Sequence, residues 1–117
     1  VVGSQFKAVH EYLESLYDSF ADVLDETAEL LKIAGEQPVA SFKGYLKIAT
    51  IKELGDKSVD QKKALQITLA DLELLRDQAL EIRKAADKHD CFAVANLMED
   101  HIENYAKQIW FLRSMLA

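Results

Sequence analysis

Four residues in the first thirty have the types and spacing to hold a metal ion: His10, Glu14, Asp25 and Glu29. They fall into two (i, i+4) pairs, and on a helix residues four apart share one face. With His10 at the origin of a helical wheel, Glu14 lies at about 40°, Asp25 at about 60° and Glu29 at about 100°. One imidazole and three carboxylates thus share a narrow arc, and each pair can converge on a single ion. The pairs are far apart along the axis, because eleven residues from Glu14 to Asp25 rise about 16 Å. Within one chain they cannot close around the same ion. Their positions are symmetric, however, about a point between Ser19 and Phe20. If the helix packs antiparallel against a copy of itself, His10 faces Glu29 of the mate and Glu14 faces Asp25 of the mate. A two-fold interface is isologous, so two identical sites form. Such an oxygen-rich set suits iron or manganese better than a structural zinc.

The spacing alone leaves another reading open. Glu11, Asp18 and Asp22 lie close by on the wheel, and a solvated acidic face has the same composition. No Glu is followed by His three residues later, so the chain lacks the Glu-x-x-His pattern of a bundle that holds two irons within one chain. His10-Glu11 is not a zinc-protease motif either, because that motif needs His where Glu14 stands.

The elements that must carry these residues are helices. From Gln5 to Ala34 there is no Gly or Pro, and Phe6, Val9, Leu13, Leu16, Tyr17, Phe20, Leu24 and Leu31 form one apolar stripe. Gly35 stops this helix and Pro38 prevents its resumption. Ser41 caps a short helix through about Lys47, and Leu54-Gly55-Asp56-Lys57 reads as a turn. Ser58 with Gln61 has the pattern of a capping box opening a second long helix with Leu65, Leu69, Leu72, Leu75, Leu80 and Ile82. Asp87-Lys88-His89-Asp90 breaks it, and Asp90 is placed to cap a last helix carrying Phe92, Val94, Leu97, Ile102, Tyr105, Ile109, Leu112 and Met115. No stretch alternates strictly enough for a strand. Three helices of roughly 25–30 residues, reaching roughly 40–45 Å, with one short crossing helix, predict an all-α antiparallel bundle.

Composition narrows the function classes. The 117 residues fit one domain, half of them hydrophobic and 29% charged, which excludes a disordered chain. Fourteen basic against twenty acidic residues leave a net charge of −6, which argues against wrapping nucleic acid by charge alone. Nothing approaches a membrane span. No secretory signal opens the chain and a single cysteine makes no internal disulfide, so the sequence reads as cytoplasmic.

Phe6-Lys7-Ala8-Val9-His10-Glu11-x-x-Glu14, Asp25-Glu26-Thr27-Ala28-Glu29 and Gly35-Glu36-Gln37-Pro38 together resemble the signature of the Dps family, the ferritin-like mini-ferritins. Lys107-Gln108-Ile109-Trp110-Phe111-Leu112 is similar to that family's last helix, and the resemblance spans essentially the whole chain. It implies a ferritin-like bundle and a dodecameric homo-oligomer built from two-fold dimers. It also implies ferroxidase activity on iron: Fe²⁺ is oxidised, by hydrogen peroxide in most of the family, and Fe³⁺ mineral is stored. DNA is thereby protected in the bacterial cytoplasm or nucleoid. By this resemblance His10 and Glu14 correspond to ligands from one subunit, and Asp25 and Glu29 to ligands from its neighbour.

Two departures from the family stand out. The family has a further long helix before the loop that Val1-Val2-Gly3 ends, with another histidine ligand in a His-Trp-Asn context. That helix is absent, so residues 1–117 read as a single domain incomplete at its N-terminus. Family pores are lined by Asp near the start of the last helix; Asp87 and Asp90 are present, but Cys91 and Asn96 stand where carboxylates are expected. The alternative reading is a structural DNA-condensing protein with a secondary metal site. Such family members use a Lys-rich tail, and Met115-Leu116-Ala117 carries none, so no DNA binding is expected of this chain. Other residues take plain readings: Trp110 core packing, Glu99-Asp100-His101-Glu103 a polar face, Cys91 an inert small residue, Lys62-Lys63 and Arg83-Lys84 solvated surface.

Overall fold

The computed structural model describes residues 1–117 and holds four helices: α1 (Phe6–Ile33), α2 (Phe42–Ile48), α3 (Gln61–Lys88) and α4 (Phe92–Leu116). The long helices have 28, 28 and 25 residues and the short one 7, so the expected all-α bundle with a short crossing helix is the observed architecture. The chain measures 48 × 31 × 19 Å.

The α3–α4 hairpin is its firmest part. Leu65, Leu72, Ala79 and Ala86 recur every seven residues along α3 and are all buried. They face an alternating three-and-four series on α4: Ala95, Met98, Ile102, Tyr105, Ile109, Leu112 and Leu116. The two alanines at the turn end of α3 let the backbones approach there, while larger side chains fill the far end. Arg83 crosses between the helices, donating from Nε and Nη2 to Glu99 at 3.0 and 2.9 Å, with Asp87 3.7 Å away. The hydrogen bond to Glu99, then the Asp87 charge, push the Arg83 guanidinium pKa up.

Helix α1 lies antiparallel to α4 and enters the core with Val9 and Leu16, with Leu13 and Phe20 packed against it. Phe20 and Tyr105 meet at 6.2 Å between ring centroids. The rest of the predicted stripe stays open: Phe6, Tyr17, Leu24 and Leu31 are exposed. They lie between about 300° and 340° on the wheel, directly beside the arc of His10 and Glu14.

Several helix ends follow the sequence reading and two do not. Gly35 has φ +86° and closes α1 in a Schellman motif, with Gly35 N–H donating to Lys32 and Glu36 N–H to Leu31. Ser41 caps α2 by accepting from Gly44 N–H at 3.1 Å. The start of α3 differs: the capping residue is Asp60, which accepts from Lys62 and Lys63 N–H, and the Ser58–Gln61 box does not form. The cause is Val2, whose N–H donates to Val59 and whose carbonyl accepts from Gln61 N–H, both at 2.9 Å. This parallel bridge holds Asp60 extended, so helix begins only at Gln61. Gly3, at φ +141°, permits the close approach; a Cβ there would lie 2.5 Å from Gln61 Oε1.

Asp90 does not cap α4 either. It adopts φ +56°, and Asp90 N–H donates to Asp87 while Cys91 N–H donates to Ala86, a Schellman closure of α3. Cys91 precedes α4 without a side-chain cap. The Asp90 backbone therefore serves the exit from one helix, and its side chain does not cap the next.

Candidate metal centre

All four residues singled out by spacing lie on α1, and all four are exposed. His10 and Glu14 occupy its first half, Asp25 and Glu29 its second. An uninterrupted α-helix keeps the (i, i+4) partners on one face and the two pairs about 16 Å apart. No group of three His, Cys, Asp or Glu side chains gathers within one chain. His10 stacks on Phe6 one turn earlier, with centroids 5.2 Å apart and planes 23° from parallel. That contact uses a ring face and leaves the ring nitrogens at the surface. Glu29 edges a shallow recess with Glu26, Leu30, Ile33, Ala93, Leu97 and Asp100.

The electrostatics of this face are one-sided. α1 carries Glu11, Glu14, Asp18, Asp22, Asp25, Glu26 and Glu29 against Lys7 and Lys32. Lys7 pairs loosely with Glu11 at 3.9 Å. A surface pair of this kind neutralises little. Glu14, Asp18, Asp22, Asp25 and Glu29 are free to accept from water or a cation.

The face of α1 opposite the arc is tied to α4 at two points that the sequence reading did not single out. Tyr12 donates to Gln108 Oε1 at 2.8 Å, and burial pushes the Tyr12 phenol pKa up, which keeps it a donor. His101 Nε2 lies 3.4 Å from Glu26 Oε2, and the ring is buried, packed against Tyr105. The polar cluster around His101 is thus dispersed: the histidine turns inward to α1 while Glu99 turns to Arg83. Nothing in the spacing of residues 99–103 marks that split, because both outcomes have the same local sequence. Trp110 also departs from expectation. It is 63% exposed, against Phe111 with 5.0 Å between centroids, rather than packed in the core. Cys91 is exposed, its Sγ 3.7 Å from the His89 carbonyl oxygen.

Comparison with known proteins places this arrangement. The family model described as "Ferritin-like domain" matches residues 1–117. A DNA protection during starvation protein of Helicobacter pylori is 28% identical over 117 residues, an alignment covering 100% of this chain and 81% of that protein. DNA protection during starvation protein 2 of Bacillus anthracis is 30% identical, with 99% of this chain and 79% of that protein covered. An uncharacterised low temperature-induced protein of Nostoc is 26% identical, and the chain spans only 65% of its length. Among solved structures, the Dps protein of Vibrio cholerae O1, described as one of the ferritin-like diiron-carboxylate proteins, superposes with a TM-score of 0.95 at 31% identity. That superposition covers 100% of this chain and 73% of the other. The four-helix order, the exposed His-and-carboxylate face of α1 and these likenesses agree: the chain belongs to the ferritin-like domain family and, within it, to the Dps proteins.

Proposed function

We propose that this chain is the subunit of an iron-oxidising, iron-storing mini-ferritin, with its reaction site between two copies of α1. His10 and Glu14 of one chain and Asp25 and Glu29 of the other would bind Fe²⁺ as substrate. The observation that supports this is the exposed, two-fold-symmetric spacing of the two pairs on a strongly acidic helix. Antiparallel pairing of that face sets Glu14 against Asp25 of the mate, and like charges brought together are unfavourable. A divalent cation between them removes the repulsion and gives the carboxylates a hard partner. The apolar stripe of Tyr17, Leu24 and Leu31 beside the arc supplies surface whose burial favours pairing.

Three anionic oxygen donors stabilise Fe³⁺ more than Fe²⁺, so the site lowers the cost of oxidation. With hydrogen peroxide as oxidant, two Fe²⁺ each give one electron, the O–O bond breaks and two hydroxides form. One-electron cleavage of peroxide, which releases hydroxyl radical, is thereby avoided. The resulting Fe³⁺ collects inside a closed dodecameric shell in the cytoplasm, and DNA is protected by removal of iron rather than by contact. The test is Fe²⁺ addition under anaerobic conditions, then dioxygen and peroxide in parallel, with Fe³⁺ formation followed by absorbance. Peroxide is expected to be consumed at one molecule per two Fe²⁺. Oxidation no faster than that of free Fe²⁺ in buffer would sink the reading.

A further inference from the structure

We propose that His101 and Gln108 of α4 are positioning residues for the intersubunit metal site, setting the rotation of α1 about its own axis; this rests on the site proposed above. The structure joins α1 to α4 by two side-chain hydrogen bonds, Tyr12 Oη to Gln108 Oε1 and His101 Nε2 to Glu26 Oε2. Each tie falls inside one of the metal-binding pairs: Tyr12 between His10 and Glu14, Glu26 between Asp25 and Glu29. On the wheel Tyr12 and Glu26 lie at about 200° and 160°, opposite the arc that faces the mate. They therefore pin the back of the helix at the levels where the front must be aimed.

The aim has to be fine. Side-chain ends lie about 6 Å from a helix axis, so a rotation of about 20° moves them about 2 Å. Metal–ligand distances tolerate about 0.2 Å. In a two-fold pair any rotation acts on both helices at once, so the misalignment is doubled rather than averaged. Within one chain the apolar contacts of α1 set this rotation only in part, because burial is non-directional and Phe6, Tyr17, Leu24 and Leu31 are exposed there. Hydrogen bonds are directional. The pin at Glu26 is anchored in the core on its α4 side: His101 is 7% exposed and held against Tyr105. A carboxylate can only accept, so the His101 ring donates Nε2–H, and its other nitrogen is not needed for the tie.

The readout is Co²⁺ binding to the whole protein, by affinity and by the visible absorption that reports ligand geometry. Glu26→Ala removes the acceptor from a side chain that is 54% exposed, so the fold is retained. Its Co²⁺ affinity is expected to fall about tenfold, the scale seen when an outer partner of a metal site is lost, with a changed spectrum. Glu26→Gln keeps an oxygen that accepts from His101 and should retain the native affinity and spectrum. Tyr12→Phe, which keeps the ring and loses the donor, should weaken binding as Glu26→Ala does. Native binding in Glu26→Ala and Tyr12→Phe would overturn the proposal. So would equal losses in Glu26→Gln and Glu26→Ala, since charge rather than positioning would then be the cause. Asp25→Ala separates this from the site itself: if it binds Co²⁺ as the unaltered protein does, the intersubunit site is what fails.

Discussion

Mixing two inactive variants tests the intersubunit arrangement most directly. His10 and Asp25 lie fifteen residues apart on one unbroken helix, about 22 Å, so no single ion can touch both within a chain. All four proposed ligands are exposed, and surface substitutions of this kind change stability by about 0.5 kcal/mol or less. His10→Ala and Asp25→Ala should therefore fold and assemble, and each should lose every site, because each homodimer site needs one residue of both kinds. In a dimer with one chain of each kind, one site lacks both ligands and the other lacks neither. Random pairing of equal amounts makes half of the dimers mixed, so about a quarter of all sites are whole. Co-expression, or dissociation and joint reassembly, should thus recover about a quarter of the native rate of Fe²⁺ oxidation. A mixture no more active than its separate parents refutes the intersubunit site. Recovery well above a quarter also refutes the reasoning, because random pairing leaves no more than about a quarter of the sites whole.

Other expectations follow from particular residues. Asp90→Gly should stabilise the α3–α4 hairpin by about 0.5–1 kcal/mol in denaturant unfolding, since φ +56° is strained for Asp and free for Gly; an unchanged or lower midpoint would contradict the Schellman closure. Burial raises the Asp71 pKa, so its folded form binds a proton more readily than the unfolded chain. The stability tied to that proton is fully present below the ordinary aspartate value of about 3.9 and is lost as pH rises through the raised value. Asp71→Asn should therefore be the more stable protein at neutral pH, with a margin that shrinks toward about pH 4; a constant margin would show that desolvation is not the cause. For DNA, a net charge of −6 without a basic run predicts no retardation of duplex DNA at about 0.1 M salt without divalent cation, and a stable complex under those conditions would defeat the charge argument.

The parts of this protein that the sequence determined by itself are those with one local solution. An unbroken apolar period between Gln5 and Ala34 can only be a long helix, and Gly35 is the residue type that most easily adopts the left-handed turn ending it. Because the helix is unbroken, the shared face of His10, Glu14, Asp25 and Glu29 followed from spacing, and so did their separation along the axis. Tertiary structure decided wherever a residue had two uses. Asp90 suits both a left-handed helix exit and a helix N-cap, and the hairpin between α3 and α4 selects the exit. Asp60 displaces Ser58 as the cap because Val2, distant in sequence, bonds to Val59 and Gln61 and holds Asp60 between them extended. His101 and Glu99 are two residues apart on one helix, yet one packs inward on Glu26 and the other reaches Arg83. Trp110 lies outside although its neighbours Ile109 and Leu112 are among the most buried residues of the chain. Periodicity locates an apolar face only to within the width of the stripe. Which edge of that stripe meets the core depends on where the neighbouring helices lie, and that is settled by packing between residues far apart in the chain.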